Sequence, residues 1–263
     1  MSIREKSITN KIGDIASGLY ETALLDEIKK YNVPLHLGII TDGNRRYARS
    51  LGLSENEGHV RGKDKLDEVL NWSREAGIKI VTVYAFSTEN FKRDDGEVRF
   101  LFDLINDSLN GLLKDDRVYK YKIRVEVIGD LKGLPDYLRK TIKNVEETTK
   151  DFNEFRFNLA IGYGGRQEII NAVKNIATDV CGGKISVDDI NEETVRNYLY
   201  DGSLPDPDLI FRTSGEERIS NFLLWQSAYS ELYFADVNWP ELKKLDFLRA
   251  IYSYQTRKRR FGK

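Results

Sequence analysis

The sequence predicts an α/β fold, a single domain built on an open, mostly parallel six-stranded sheet flanked by helices. Six short β-type runs alternate with helical stretches along the chain. Several of those runs, LHLGII and KIVTVYAF among them, are apolar nearly throughout, as strands covered by helices on both faces must be. No internal repeat, low-complexity tract or Pro/Gly-rich linker divides the 263 residues, which fits one domain.

Taken in order, residues 1–34 read as an N-terminal helical arm. Leu19, Ala23, Leu24 and Ile28 form a rough helical stripe that would pack on the body or on a partner. The main domain then runs over 35–263. Its strands are expected at Leu35–Asp42, Lys79–Ser87, Tyr121–Asp130, Phe155–Tyr163, Asp208–Thr213 and Glu231–Val237. Helices are expected at Glu57–Ala76, Glu97–Lys114, Pro135–Phe152, Arg166–Val180, Ser220–Tyr229 and Leu245–Arg260.

Composition narrows the function classes. The chain carries 41 basic and 42 acidic residues, a net charge of -1, so nothing pulls the whole molecule toward nucleic acid or an anionic membrane. An anion site must be local. The single cysteine, Cys181, fits a reducing compartment, and no Cys/His cluster suggests zinc. The N-terminal stretch lacks a signal-peptide core, and no apolar run approaches the ~20 residues that span a bilayer. A cytoplasmic protein is expected, with peripheral membrane contact left open.

Open parallel sheets bind ligands beyond the C-terminal ends of their strands. The first strand ends in Thr41-Asp42-Gly43-Asn44-Arg45-Arg46. Backbone N–H groups at such a turn form an anion cradle, Gly43 allows close approach, and Arg45 and Arg46 supply forked donors for phosphate. Asp42 would repel a phosphate unless a cation lies between them, and Mg²⁺ is the natural mediator. Asp-Gly-Asn is also an ordinary turn sequence. The second strand runs into Ser87, Asn90 and Arg93, and the fifth into Arg212-Thr213-Ser214-Gly215-Glu216-Glu217-Arg218-Ile219-Ser220, which reads as a second phosphate site. Glu231 opens the sixth strand, as a second metal ligand or an exposed carboxylate. His36 reads as structural. His59 would bond a phosphate, move a proton, or lie on the surface. Gly162-Tyr163-Gly164-Gly165 fails the dinucleotide fingerprint and reads as close strand–helix packing. The basic tail Arg257–Lys263 is solvated or binds nucleic acid.

The segments HLGIITDGNRRYAR, GHVRGKDKL, VYAFSTENFKR, VIGD, IGYGGRQEI and IFRTSGEERISNFLLWQSAYSELYFADVNWP resemble the cis-prenyltransferases, the family of undecaprenyl and dehydrodolichyl diphosphate synthases. The resemblance runs from about Leu35 to the C-terminus. It implies an apolar tunnel beside two adjacent diphosphate sites and a reaction that condenses isopentenyl diphosphate with an allylic diphosphate, farnesyl or geranylgeranyl. The product would be a long polyprenyl diphosphate for lipid glycan carriers. Carried over, Gly43, Asn44, Arg45, Arg46 and His59, with Arg93, resemble the allylic diphosphate cradle. Asp42 and Glu231 resemble the Mg²⁺ ligands, and Arg212, Arg218 and Ser220 the isopentenyl diphosphate site. Ser87 and Asn90 match positions that orient substrate and pass its proton. Arg260-Phe261-Gly262 matches a C-terminal motif that completes the neighbouring subunit's site, which implies a homodimer and adds Arg260 and Gly262 to the isopentenyl diphosphate site. Leu101, Phe102, Ile105, Leu109 and Leu112 are candidate tunnel walls, or ordinary core.

Four positions depart from the bacterial pattern. Arg45 replaces a Gly, Phe91 a Trp, Glu217 a His, and Glu55 lies where a phosphate-binding Arg is often found, a loss Arg61 would offset. The rivals are a non-catalytic partner subunit, which would lack Asp42, Asn44, Arg46 and Asn90, a basic-tailed nucleic-acid-binding module, and a phosphohydrolase. Neutral net charge argues against the nucleic-acid reading.

Overall fold

In the computed structural model, which describes residues 18–257, the apolar runs pair as six parallel strands. They are β1 (His36–Ile40), β2 (Ile80–Ser87), β3 (Ile123–Ile128), β4 (Phe155–Tyr163), β5 (Leu209–Arg212) and β6 (Glu231–Phe234), in the spatial order β3-β4-β2-β1-β5-β6. Every pairing is parallel, so the sheet is wholly rather than mostly so. Each expected strand is present, several trimmed at their ends where polar turn residues leave the ladder.

Helices cover both faces. Residues 18–28 form α1, followed by α2 (Asn44–Ser50), α3 (Glu55–Ala76), α4 (Asp95–Leu112), α5 (Asp116–Lys120) and α6 (Asp136–Thr149). Then come α7 (Gly165–Cys181), α8 (Glu192–Asn197) and α9 (Lys244–Thr256). The large core joins Leu37, Ile39, Val81 and Val83 of the sheet to Val69, Leu109, Leu138 and Phe247 of the helices. A smaller one, with Ile40, Tyr84, Tyr163 and Ile210, packs under Phe222 and Leu223. Ser54 begins α3 with a capping box to Glu57, and Gly77 ends it in the left-handed region. Ile28 of α1 is fully buried, and its carbonyl accepts from Gln255 Nε2 of α9 at 2.8 Å.

The expected helix at Ser220–Tyr229 does not form. Ser220, Asn221 and Leu223 have φ of 47°, 65° and 45°, and the segment runs as successive turns. The backbone departs from a helix where Phe222 and Leu223 are sunk into the small core and the Asn221 carbonyl accepts from Gly165 N at 2.7 Å. Those tertiary contacts outweigh the local apolar pattern. The short helices α2, α5 and α8 were not among the expected elements.

Order along the sheet positions the site. From β1 the chain adds β2 on one side, places β3 at that edge and fills the gap between them with β4, then crosses to the other side of β1 for β5 and β6. The strand order therefore reverses between β1 and β5, and a crevice opens beyond their C-terminal ends.

Candidate active site

Ile40 is the register partner of Arg212, so the turn after β1 and the loop after β5 leave the sheet side by side. Gly43 sits at φ 108° before α2, and a Cβ there would lie 2.7 Å from Asn238 Oδ1. The Asp42 carbonyl accepts from Thr213 Oγ1 at 2.6 Å and from Trp239 N at 3.0 Å, which fixes the turn. Arg212, 3% exposed, donates from Nη2 to Asp42 Oδ2 at 2.7 Å. Its Nη1 donates to Ser220 Oγ at 2.7 Å and to the Arg218 carbonyl. Arg46 donates to the Ser214 carbonyl at 3.0 Å and to Glu216 Oε1 at 2.9 Å, and lies 3.5 Å from Asp42 Oδ2. Arg218 pairs with the other oxygen of Glu216. Burial alone would raise the Asp42 carboxyl, but the neighbouring Arg212 and Arg46 guanidiniums hold it below the usual carboxylate range. One rim thus gathers Asp42, Arg46, Arg212, Arg218 and Ser220.

Arg45 turns the other way. Successive residues of a helix point about 100° apart, so Arg45 faces Glu97, at 3.8 Å, while Arg46 faces the late loop. Glu97 also accepts from His59 Nε2 at 3.0 Å and from Arg93 Nη1 at 2.7 Å. The carboxylate only accepts, so Nε2 of His59 carries a proton. Burial lowers the His59 pKa, and Glu97 partly opposes that shift. Arg45, His59 and Arg93 thus form a second basic group beside the first. Glu55 lies against Arg49 and, at 3.6 Å, Arg45.

Ser87 and Asn90 close the end of β2, where Asn90 Oδ1 accepts from Ser87 N at 2.9 Å. Asn221 Nδ2 donates to Glu89 at 3.2 Å and ties this turn to the late loop. Phe91 stacks edge-on against Phe86, centroids 4.9 Å apart.

A cavity of about 510 Å³ opens beside Thr41, Asn44 and His59 and runs down the sheet between α3 and α4. Its walls include Val83, Ala85, Phe157 and Leu159 of the sheet and Leu101, Ile105, Leu109 and Leu112 of α4. Further along, Asp67, Asp107 and Asp115 border it. Of the five wall candidates, Phe102 does not line the cavity and packs on Phe86 instead.

Two expectations need correction or fall outside the description. Glu231 is paired with Leu209 at the start of the β5–β6 ladder, whereas Asp42 follows its far end. Glu231 is level with Leu37, so at ~3.3 Å per residue about 10 Å of strand separates its level from the end of β1, and the two residues also lie two strands apart. Within one chain they cannot share an ion, and Glu231 instead accepts from Arg257 at 2.8 Å. The reason is direction: a residue that opens a parallel strand lies at the edge opposite one that follows a strand. Arg260 and Gly262 lie outside the described residues. Two carboxylates that the sequence did not single out, Glu97 and Glu216, organise the basic groups, and Glu216 rather than Glu217 meets Arg46 and Arg218. Only their spacing from Arg93 (i, i+4) and Arg218 (i, i+2) hinted at this.

Residues 40–262 match the undecaprenyl diphosphate synthase family model. The chain is 74% identical over 251 residues to the tritrans,polycis-undecaprenyl-diphosphate synthase (geranylgeranyl-diphosphate specific) of Picrophilus torridus, covering 95% of this chain and 98% of that one. It is 69% identical over 256 residues to the protein of the same name from Thermoplasma volcanium, covering 97% and 99%. Among solved structures it resembles lavandulyl diphosphate synthase from Lavandula x intermedia in complex with dimethylallyl diphosphate. The TM-score is 0.85 at 37% identity, over 88% of this chain and 99% of that one.

Proposed function

We propose, from the premise that the chain belongs to the undecaprenyl diphosphate synthase family, that its two basic groups hold two diphosphates side by side. The chain is a polyprenyl diphosphate synthase, a transferase that extends a prenyl chain by cis units. In our reading, Gly43, Asn44, Arg45, His59 and Arg93 hold the allylic diphosphate, and Arg212, Arg218 and Ser220 hold isopentenyl diphosphate. Arg46, which faces the late loop, lies between them. The primer is geranylgeranyl diphosphate and the product undecaprenyl diphosphate, as the names of the close relatives state for those proteins. The observation that carries this reading is the 2.7 Å Asp42–Arg212 pair joining the ends of β1 and β5 beside the mouth of an apolar cavity.

Diphosphates bound next to each other repel unless cations screen them. Arg45, Arg46 and Arg93 would stabilise charge on the departing diphosphate as the allylic C–O bond breaks. The isopentenyl double bond, held against the allylic carbon by the Arg212 group, forms the new C–C bond. The proton lost from isopentenyl C2 passes to the released diphosphate, with Ser87 and Asn90 orienting the substrate. The growing chain enters the cavity, whose apolar walls favour it over water.

Asp42 offers a hard carboxylate oxygen suited to Mg²⁺. Among the described residues no group of three or more His, Cys, Asp or Glu could hold a metal alone. That fits an ion bound by one carboxylate together with phosphate oxygens and water. When bound, Mg²⁺ supplies neutralisation of phosphate charge. A homodimer in which Arg260 and Gly262 complete the partner's site belongs to the same proposal and rests on the sequence resemblance. No helix among the described residues is long and apolar enough to cross a membrane.

The test is incubation with radiolabelled isopentenyl diphosphate, Mg²⁺ and dimethylallyl, farnesyl or geranylgeranyl diphosphate, followed by chain-length analysis. Geranylgeranyl diphosphate should give the highest kcat/KM and a C55 product. Diphosphate release without isopentenyl diphosphate, or no elongation from any primer, would overturn the reading.

A further inference from the structure

Glu97 occupies the place in its basic group that an anion would take. Its carboxylate receives His59 at 3.0 Å and Arg93 at 2.7 Å and lies 3.8 Å from Arg45. Its side chain is only 12% exposed, so these contacts are poorly screened by water. The carboxylate sits in the first turn of α4, where the helix dipole also favours it. These are the three basic side chains among the groups that, on the function proposed above, hold the allylic diphosphate. They cannot give their best geometry to Glu97 and to a diphosphate at once.

We infer that Glu97 is an internal counter-anion that competes with diphosphate for Arg45, His59 and Arg93 and recaptures them when diphosphate leaves. A diphosphate carries more charge and more acceptor oxygens than one carboxylate, so it displaces Glu97 on arrival. The exchange weakens diphosphate binding by whatever Glu97 gains from the same donors. That loss is useful in a repeating reaction. Each elongation step leaves free diphosphate in the allylic site, and it must depart before the lengthened chain can be positioned there. Glu97 lowers the cost of that departure, since the donors it takes back are not left unpaired in a partly buried site. A purely structural Glu97, holding the donors in place for substrate, predicts the opposite: removing it would loosen the donors and weaken binding.

The sign of the effect decides between them. Binding of inorganic pyrophosphate to the full chain in Mg²⁺ is measured by titration calorimetry for wild type, Glu97→Gln and Glu97→Asp. Glu97→Gln should bind pyrophosphate about tenfold more tightly, or about 1.4 kcal/mol. In steady state it should lower both KM for the allylic substrate and kcat, with a burst of first-cycle product. Glu97→Asp, which keeps the charge, should stay near wild type. Unchanged or weaker pyrophosphate binding in a folded Glu97→Gln chain would overturn the inference. Arg93→Ala separates this failure from that of the site itself. If Arg93→Ala leaves pyrophosphate binding unchanged, the assignment of the allylic site fails; if it weakens binding while Glu97→Gln does not tighten it, only the role of Glu97 fails.

Discussion

At the N-terminal rim of the sheet, His36 lies between the Pro205 carbonyl, 2.6 Å from Nδ1, and Thr82 Oγ1, 2.7 Å from Nε2. Thr82 accepts from Asn158, Asn158 from Arg156, and Arg156 is paired with Glu126 and Asp201. At the C-terminal rim, His59 has one carboxylate, shared with two arginines, and opens onto a cavity. Both rims are rich in charge. At the lower rim both ring nitrogens of His36 have partners within the chain, although Glu126 Oε2 and Asp206 Oδ1 are buried without a hydrogen bond. At the upper rim, Asn44 Oδ1 and Arg212 Nε are buried with no hydrogen-bond partner among the described residues. What separates the rims is the cavity: His36 is enclosed by its partners and serves the fold, whereas His59 and the unpaired Asn44 Oδ1 line a space that a ligand can enter.

The largest loss of function is expected at Asp42. Asp42→Asn keeps an acceptor for Arg212 but removes the charge. Turnover should fall on the order of 10³-fold, in the range seen when a transition-state charge loses its stabilising partner. Melting temperature should fall by a few degrees, since the buried Arg212 loses its counter-charge but retains Ser220 and the Arg218 carbonyl. Labelled isopentenyl diphosphate incorporation and thermal unfolding measure the two. Ordinary turnover would place Asp42 with the structural charges of the lower rim.

His36 is the converse case. Burial lowers its pKa from the ordinary 6.5 to about 4. The folded state therefore holds the imidazole neutral, and the unfolded state binds the extra proton between those values. Stability from this group is fully present above pH 6.5 and is lost as pH falls toward 4, up to about 3 kcal/mol. Urea unfolding at pH 7 and pH 4.5 should show that loss in wild type and a smaller one in His36→Gln. Activity of His36→Gln at pH 7 should remain. Equal pH dependence in the two proteins would remove His36 from the account.

The sequence shows this contrast unevenly. The buried apolar runs made the six strands legible, and polar clusters after β1 and β5 marked the upper rim. Glu231 was misplaced because a carboxylate next to a strand says nothing about which rim it joins until the strand's start and direction are fixed. Arg45 and Arg46 looked like one pair because the short helix that splays them was not anticipated. Glu97 and Glu216 are two among many acidic residues, and only folding brings them against arginines. Residues 220–229 read as a helix because Phe222, Leu223 and Leu224 are apolar, yet the first two are drawn into the small core and the backbone follows them.

Between the rims lies the cavity, where the smallest effect is expected. Gly111 lines it near the end of α4, and a Cβ built there meets nothing within 4 Å. Gly111→Leu should stabilise the helix by about 0.8 kcal/mol, because glycine is the poorer helix former. The same side chain takes up room beside Ser108 and Asp115, where a lengthening chain descending from the upper rim would lie. Product should therefore shorten while the first condensation proceeds at nearly the wild-type rate, since Asp42 and both basic groups are untouched. Chain-length analysis by thin-layer chromatography, with single-turnover rates alongside, tests it. A more stable enzyme with an unchanged product distribution would mean that the growing chain does not follow the wall between α3 and α4, and that the cavity stops mattering above Gly111.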